Sequence, residues 1–151
     1  SIGAPSAVLY GQQSQQLIPL QTGEAHALTL RPREWELFTV AEVQHSDKGD
    51  VHFAALGLLP MLNGGGAIVD SQLLDRLGGR AGRAPQVRVA LRASDTFGAY
   101  CVPRPRMVRV DGQHIEAFQY DDSSGLLTID LPRSSQPRQL LIDFPRGGKR
   151  G

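Results

Sequence analysis

Two adjacent carboxylates, Asp121 and Asp122, are the first residues to weigh for chemistry, because glycosidic bonds are cleaved between pairs of acids. Such a pair must stand about 5–10 Å apart across one sugar, whereas neighbours on a strand point to opposite faces. Followed by Ser123, Ser124 and Gly125, these two aspartates read as a solvated turn. Cys101 with a histidine would make a thiol nucleophile. It stands on a strand-like stretch, however, and reads as a small buried residue. Ser123 with Ser124, and Ser134 with Ser135, lack the strand-to-helix elbow of a serine hydrolase. His26, His45, His52 and His114 are scattered, without the four-residue spacing of a zinc helix or a cysteine pair to join them. Gly64, Gly65 and Gly66 follow Asn63 without the lysine and hydroxyl of a phosphate loop or the spacing of a dinucleotide fingerprint. Those glycines are expected to let the backbone turn sharply or approach a neighbour closely. No catalytic, cofactor-binding or metal-ligating residue is expected.

Composition narrows the field further. A chain of 151 residues fits one domain with a cooperative core. Its 17 glycines and 10 prolines, without a period, imply many turns and few long helices. The formal charge of +1 gives no global field toward nucleic acid or an acidic membrane. Arginine supplies 14 of the 16 basic residues, and Arg76, Arg80, Arg83, Arg88 and Arg92 crowd together. No aromatic residue interleaves across 78–94, so a solvated loop fits better than an RNA-binding segment. A single cysteine excludes an internal disulfide. No apolar run is long enough to span a bilayer, and a soluble chain is expected.

The elements that must position these residues are strands. Val87, Val89 and Leu91 alternate with other residues, as do Leu127, Ile129 and Leu131, with Asp130 facing water, and Leu140, Ile142 and Phe144, with Asp143 facing water. Further strands are expected over 5–10, 16–20, 26–30, 34–43, 51–58, 66–70, 96–102, 106–111 and 114–120. Asp111 and Gly112 read as a tight hairpin turn, and 121–125 as a longer one closing on Gly125. Turns every eight to twelve residues or so predict an antiparallel β-sandwich over residues 1–144. At most one short helix is expected, over 70–77, capped by Ser71 and carrying Leu73, Leu74 and Leu77 on one face. Residues 78–85 read as a flexible loop, and 145–151 as a disordered basic tail.

Four runs carry a resemblance. Residues 51–67 read VHFAALGLLPMLNGGGA, 96–105 read TFGAYCVPRP and 118–132 read FQYDDSSGLLTIDLP. Ahead of them, 17–40 contains a proline-bearing strand pair leading into WELFTV. In this order they resemble the C-terminal region of raffinose synthases, seed-imbibition proteins and alkaline α-galactosidases, a glycoside hydrolase family 36-like group. Departures include Ala55, Leu56, Pro60 and Gly64, where that family carries proline, isoleucine, no proline and serine. The resemblance implies a parent enzyme that retains configuration, moving galactose from galactinol to sucrose or hydrolysing α-galactosides. Its aspartates stand on a (β/α)8 barrel, none of whose motifs occurs here. It also implies a cytoplasmic location.

The expected role is thus a non-catalytic C-terminal β-sandwich whose partner is the barrel of the same polypeptide. A barrel-docking loop is expected at Leu58, Leu59, Met61, Leu62 and Asn63, against the alternative that Leu58, Met61 and Leu62 fill the domain's own core. Two other roles stay open: a stand-alone carbohydrate-binding module for a galactoside or sucrose-type ligand, and a vestigial fragment. A binding module would display an aromatic platform. Of the nine aromatics, Trp35 and Phe38 lie three apart on an expected strand, so one of them is a candidate for the surface.

Overall fold

The computed structural model describes residues 5–46, 50–74 and 84–145. In chain order its strands are β1 (Ala7–Gly11), β2 (Leu17–Leu20), β3 (Phe38–Glu42), β4 (Gln44–His45), β5 (His52–Leu58), β6 (Ile68–Leu74) and β7 (Gln86–Leu91). They continue with β8 (Thr96–Val102), β9 (Met107–Val110), β10 (Gln113–Ile115), β11 (Phe118–Asp121), β12 (Leu126–Asp130) and β13 (Arg138–Asp143). Among the described residues these strands pair antiparallel into three sheets, ordered β10-β9-β13-β7-β6, β11-β12-β8-β5-β4 and β2-β1-β3.

The two larger sheets form the expected sandwich, and alternation explains why. Val87, Val89 and Leu91 of β7 are fully buried while Arg88 is exposed. Leu127, Ile129 and Leu131 lie in the same core with Asp130 outside it. Phe53 of β5 meets Phe144 edge to face at 6.5 Å. Each such leucine, isoleucine or phenylalanine contributes roughly 1.5–3 kcal/mol by leaving water.

The third sheet was not foreseen as a separate layer. It covers the outer face of the second sheet, where Val8 and Tyr10 of β1 and Val43 meet Ala54, Leu56 and Tyr100. Strand β5 is thereby buried on both sides, which accounts for its nearly continuous apolar sequence. It serves both cores through a bulge: Ala55 pairs with Ala99 and Gly57 with Gly98, so Leu56 is the extra residue. Leu56 then faces the small sheet, and Leu58 returns to the sandwich core. Gly57 adopts φ +101°, and an added Cβ would lie 2.1 Å from the Gly64 carbonyl oxygen. The glycine triplet opens a 3-10 turn, Gly64–Ala67, against β5, as the close-approach reading expected.

Several sequence expectations need correction. Residues 70–77 do not begin a helix: 68–74 are strand β6, and 75–77 lie outside the described residues. A two-turn helix is marginal alone, whereas β6 gains a ladder with β7 from Ile68 to Leu74. Residues 26–30 and 34–37 belong to no strand. The expected strand 114–120 divides between β10 and β11, which lie in different sheets. Asp143 turns from the core but is only 9% exposed, because Gln86 Nε2 donates to it at 2.7 Å and Arg109 Nη2 at 3.2 Å. Both hairpins are as expected, with Asp111 at φ 50°, Gly112 at φ 82° and Gly125 at φ 79°. The predicted loop falls outside the described residues at 78–83, as does the tail at 146–151. No helix among the described residues is long and apolar enough to cross a membrane.

The bulge makes Gly57 a sensitive position. Gly57→Ala is expected to lower unfolding free energy by about 3 kcal/mol, from backbone strain plus collision with Gly64. Gly23 also has positive φ but open space around it, so Gly23→Ala should cost about 1 kcal/mol. Urea unfolding of the two variants checks the difference; equal losses would refute the role assigned to the Gly57–Gly64 contact.

Candidate functional site

The proposed docking loop divides. Leu58 is 1% exposed and belongs to the sandwich core, so it is no surface residue. Leu59 lies over Gly98, filling the space a Cβ would take, and packs against the second core. Its N–H donates to Thr96 O at 2.9 Å. Successive turns, Met61 N–H to Leu58 O at 3.2 Å and Gly64 N–H to Met61 O at 3.1 Å, then project the loop outward. Met61 and Leu62 are left 44% and 65% exposed, and Asn63 is exposed too. Leu58 thus fills the domain's own core, whereas Met61 and Leu62 do not.

A larger apolar feature was not seen in the sequence. Residues 22–35, between β2 and β3, are exposed throughout and carry no strand ladder. Leu28, Leu30, Trp35 and Leu37 all stand in water, with Trp35 51% exposed. Local turns shape this arm: Glu34 N–H donates to Arg31 O at 3.0 Å, and Arg31 N–H to Glu34 Oε2 at 3.0 Å. At its base the His26 ring meets the half-buried Phe38 edge-on at 6.3 Å. Glu36 fastens the returning strand by accepting from the N–H groups of Gln13 and Ser14 at 2.8 and 3.0 Å. Those bonds, chiefly that from Gln13, hold its carboxyl below the usual range. Within the stretch 26–30, expected as a strand, Leu28 and Leu30 stand exposed, and no element among the described residues covers them.

Among the groups weighed for chemistry, local contacts join Asp121 with Ser123 and Ser124, and His45 with His52. Asp121 accepts from the Ser123 and Ser124 hydroxyls at 2.8 Å each, which lowers its pKa and closes the turn. Asp122 beside it is exposed. Cys101 is fully buried, and burial raises its thiol far above the ordinary value. Among the histidines the sequence missed a pair: His45 and His52 are cross-strand partners, with Nδ1 atoms 2.7 Å apart. One ring must be neutral to accept from the other. Burial first, then His45, lowers the His52 pKa, while Asp50 opposes the shift. The β4–β5 register brings these rings together, and beside them Ser46 Oγ donates to Asp50 and accepts from Val51 N–H. No group of three metal-ligating side chains occurs among the described residues.

One concavity is built by the fold itself. The small sheet stops short of β11 and β12, leaving a groove of ≈ 560 Å³ between the β1–β2 side and their outer face. Tyr10, Gln12 and Leu59 form its walls, and Gln119, Thr128 and Asp130 its floor. Gln12 Nε2 donates to Leu59 O at 2.9 Å, joining the walls. Thr96 Oγ1 donates to Asp130 Oδ1 at 2.7 Å along the floor.

Comparison with known proteins gives a consistent picture. The family described as raffinose synthase or seed imbibition protein Sip1 matches residues 4–131, from before β1 through β12. The chain is 38% identical over 126 residues to the probable galactinol–sucrose galactosyltransferase 1 of Arabidopsis thaliana, covering 83% of this chain and 16% of that protein. It is 33% identical over 140 residues to the galactinol–sucrose galactosyltransferase of Oryza sativa subsp. japonica, covering 91% and 17%. The corresponding Pisum sativum protein is 26% identical over 133 residues, covering 88% and 16%. The chain thus spans about one-sixth of the length of these relatives.

Two outcomes follow from the buried groups. In the native chain Cys101 should resist a thiol reagent at least roughly a thousandfold more than in denaturant, because it reacts only on opening; rapid native labelling would contradict its burial. His52 disfavours its proton in the fold, so its contribution to stability is complete above the ordinary histidine value of about 6.5 and is lost as pH falls through the lowered folded value. Stability should decline below about pH 6.5, and His52→Gln should flatten that part of the profile. An unchanged profile in the variant would assign the decline to other groups.

Proposed function

The chain belongs to the raffinose synthase and seed imbibition protein family, and on that premise we propose that it is the non-catalytic C-terminal β-sandwich of a cytosolic galactosyl-transferring enzyme. Its partner is the (β/α)8 catalytic barrel of the same polypeptide. The parent reaction is galactosyl transfer from galactinol to sucrose, or hydrolysis of α-galactosides. The observation that carries this reading is the arm between β2 and β3, with Leu28, Leu30, Trp35 and Leu37 exposed on one short segment. Met61 and Leu62 form a second exposed apolar group.

Physical chemistry supports a partner for the arm. Withdrawing the exposed half of each large side chain from water contributes roughly 1 kcal/mol, so four of them supply a sizeable part of an intramolecular contact. Tethering favours that contact further, because both surfaces would belong to one chain. The relatives extend far beyond the matched segment, and this supports a partner in the same polypeptide. Asp121 and Asp122 have no part in the proposed chemistry, since they close a turn and face solvent.

A chimera tests the proposal. This chain would replace the matching segment of the Oryza sativa protein, and raffinose formation from galactinol and sucrose would be followed together with the thermal midpoint. The unmodified chimera should be active. Leu30→Asp with Trp35→Asp should lower its midpoint by about 5 °C while leaving that of the isolated chain unchanged. Equal stability of both chimeras would refute docking through the arm. Galactosyl transfer by the isolated chain, abolished by Asp121→Asn or Asp122→Asn, would refute the non-catalytic role.

A further inference from the structure

We infer that the groove between the small sheet and the outer face of β8, β12 and β11 binds a neutral, polyhydroxylated ligand of the size of a short oligosaccharide. The inference goes beyond the docking role and does not depend on it.

The floor is ordered by strand register. Gln119 pairs with Thr128, and Thr128 with Gly98, so an amide and a hydroxyl stand in one cross-strand row. Over Gly98 the row ends against the Leu59 side chain. In the next row Asp130 pairs with Thr96 and accepts from its hydroxyl through Oδ1. Among the described residues, Asp130 Oδ2 and the side chains of Gln119 and Thr128 have no protein hydrogen-bond partner. These groups present both donors and acceptors on a rigid sheet, as a ligand rich in hydroxyls requires. Leu59 and Pro60 add an apolar wall suited to the C–H face of a sugar ring.

Composition selects the ligand class. Among the described residues no lysine or arginine lines the groove, so a phosphate or other anion would meet the Asp130 carboxylate with no cation to offset it. The volume lies within the range of about 300–1,000 Å³ typical of small-molecule sites. Where the small sheet covers the second sheet, the outward residues are Ala54, Leu56 and Tyr100. Beyond its reach they become Thr96, Gln119, Thr128 and Asp130, a change that favours a solvated, hydrogen-bonding site over a protein-covered one.

The test is a titration of the isotope-labelled chain with sucrose, raffinose and galactinol, with glucose 6-phosphate as a charged comparison, followed by amide chemical shifts. Saturable shifts in the millimolar range are expected at Thr96, Gln119, Thr128 and Asp130, weaker or absent with the phosphate. Gln119→Ala with Thr128→Val should weaken sugar binding at least tenfold without changing the thermal midpoint. The inference is overturned if none of the three sugars gives a saturable shift, if the shifts gather on the Trp35 arm instead, or if they survive the double substitution. Because the titration uses this chain alone, its failure leaves docking through the arm untouched, and failure of the chimera leaves the groove untouched.

Discussion

Strand β5 meets water on neither face, and the rest of the molecule is arranged around that constraint. From Phe53 to Leu58 each residue is buried or half-buried. A regular strand would give alternate residues to each side throughout. The bulge at Leu56 instead assigns Ala54 and Leu56 to the outer core and Leu58 to the inner one. The inserted residue shifts the phase of the strand by one, so both cores are filled without placing a leucine in solvent. Closure of the following turn against the same strand then depends on Gly57 and Gly64 meeting backbone to backbone. The arm, the exposed loop and the groove all hang on elements that this strand joins.

Polar groups at the rims follow from the same layering. Edge strand β6 would leave backbone groups unpaired where it passes β4. The Gln44 side chain reaches across, donating to Ser71 O at 3.3 Å and accepting from Leu73 N–H at 3.1 Å. It links the two sheets of the sandwich as a short substitute for a missing strand. At another rim Arg138 donates to Ser94 Oγ at 3.0 Å, to Asp111 and to the Pro132 carbonyl. That one guanidinium gathers three connections, and its donation to Asp111 is the largest cause of that carboxyl's lowered pKa. Satisfaction is incomplete at Arg109, whose Nε is buried without a partner while Nη2 holds Asp143. Such an orphan costs about 1–3 kcal/mol, which the ion pair with Asp143 partly offsets.

Alternation made the sandwich legible because a sheet with one wet face must place apolar residues every second position. Strands β7, β12 and β13 obey this, and their core residues were readable from Val87 to Phe144. Hairpins at Gly112 and Gly125 were readable because only certain residues adopt positive φ without strain. Strand β6 was misread since Leu73, Leu74 and Leu77 also fit one face of a helix, and only the partner strand decides between the two. Asp143 was misplaced because burial by Gln86 and Arg109 depends on side chains distant in sequence. The His45–His52 pair and the groove are tertiary facts: each needs a register or a sheet boundary that no local pattern encodes. The third sheet did leave a trace, the unbroken apolar run of β5, which a strand with one wet face would not carry.

Surface composition in this molecule otherwise tracks coverage. The second sheet is apolar where the small sheet lies on it and polar where that cover ends. Val69 and Val102 are exposed singly, and isolated apolar residues of that kind are ordinary on any surface. The arm departs from the pattern, with Leu28, Leu30, Trp35 and Leu37 exposed within ten positions that belong to no strand. A segment so built gains nothing from its own apolar side chains while it stays in water, yet it bears the entropic cost of being ordered. Its sequence suits a covered state, and that of the groove suits a wet one. The two outer surfaces therefore differ in physical character, apolar along the arm and hydrogen-bonding along the groove.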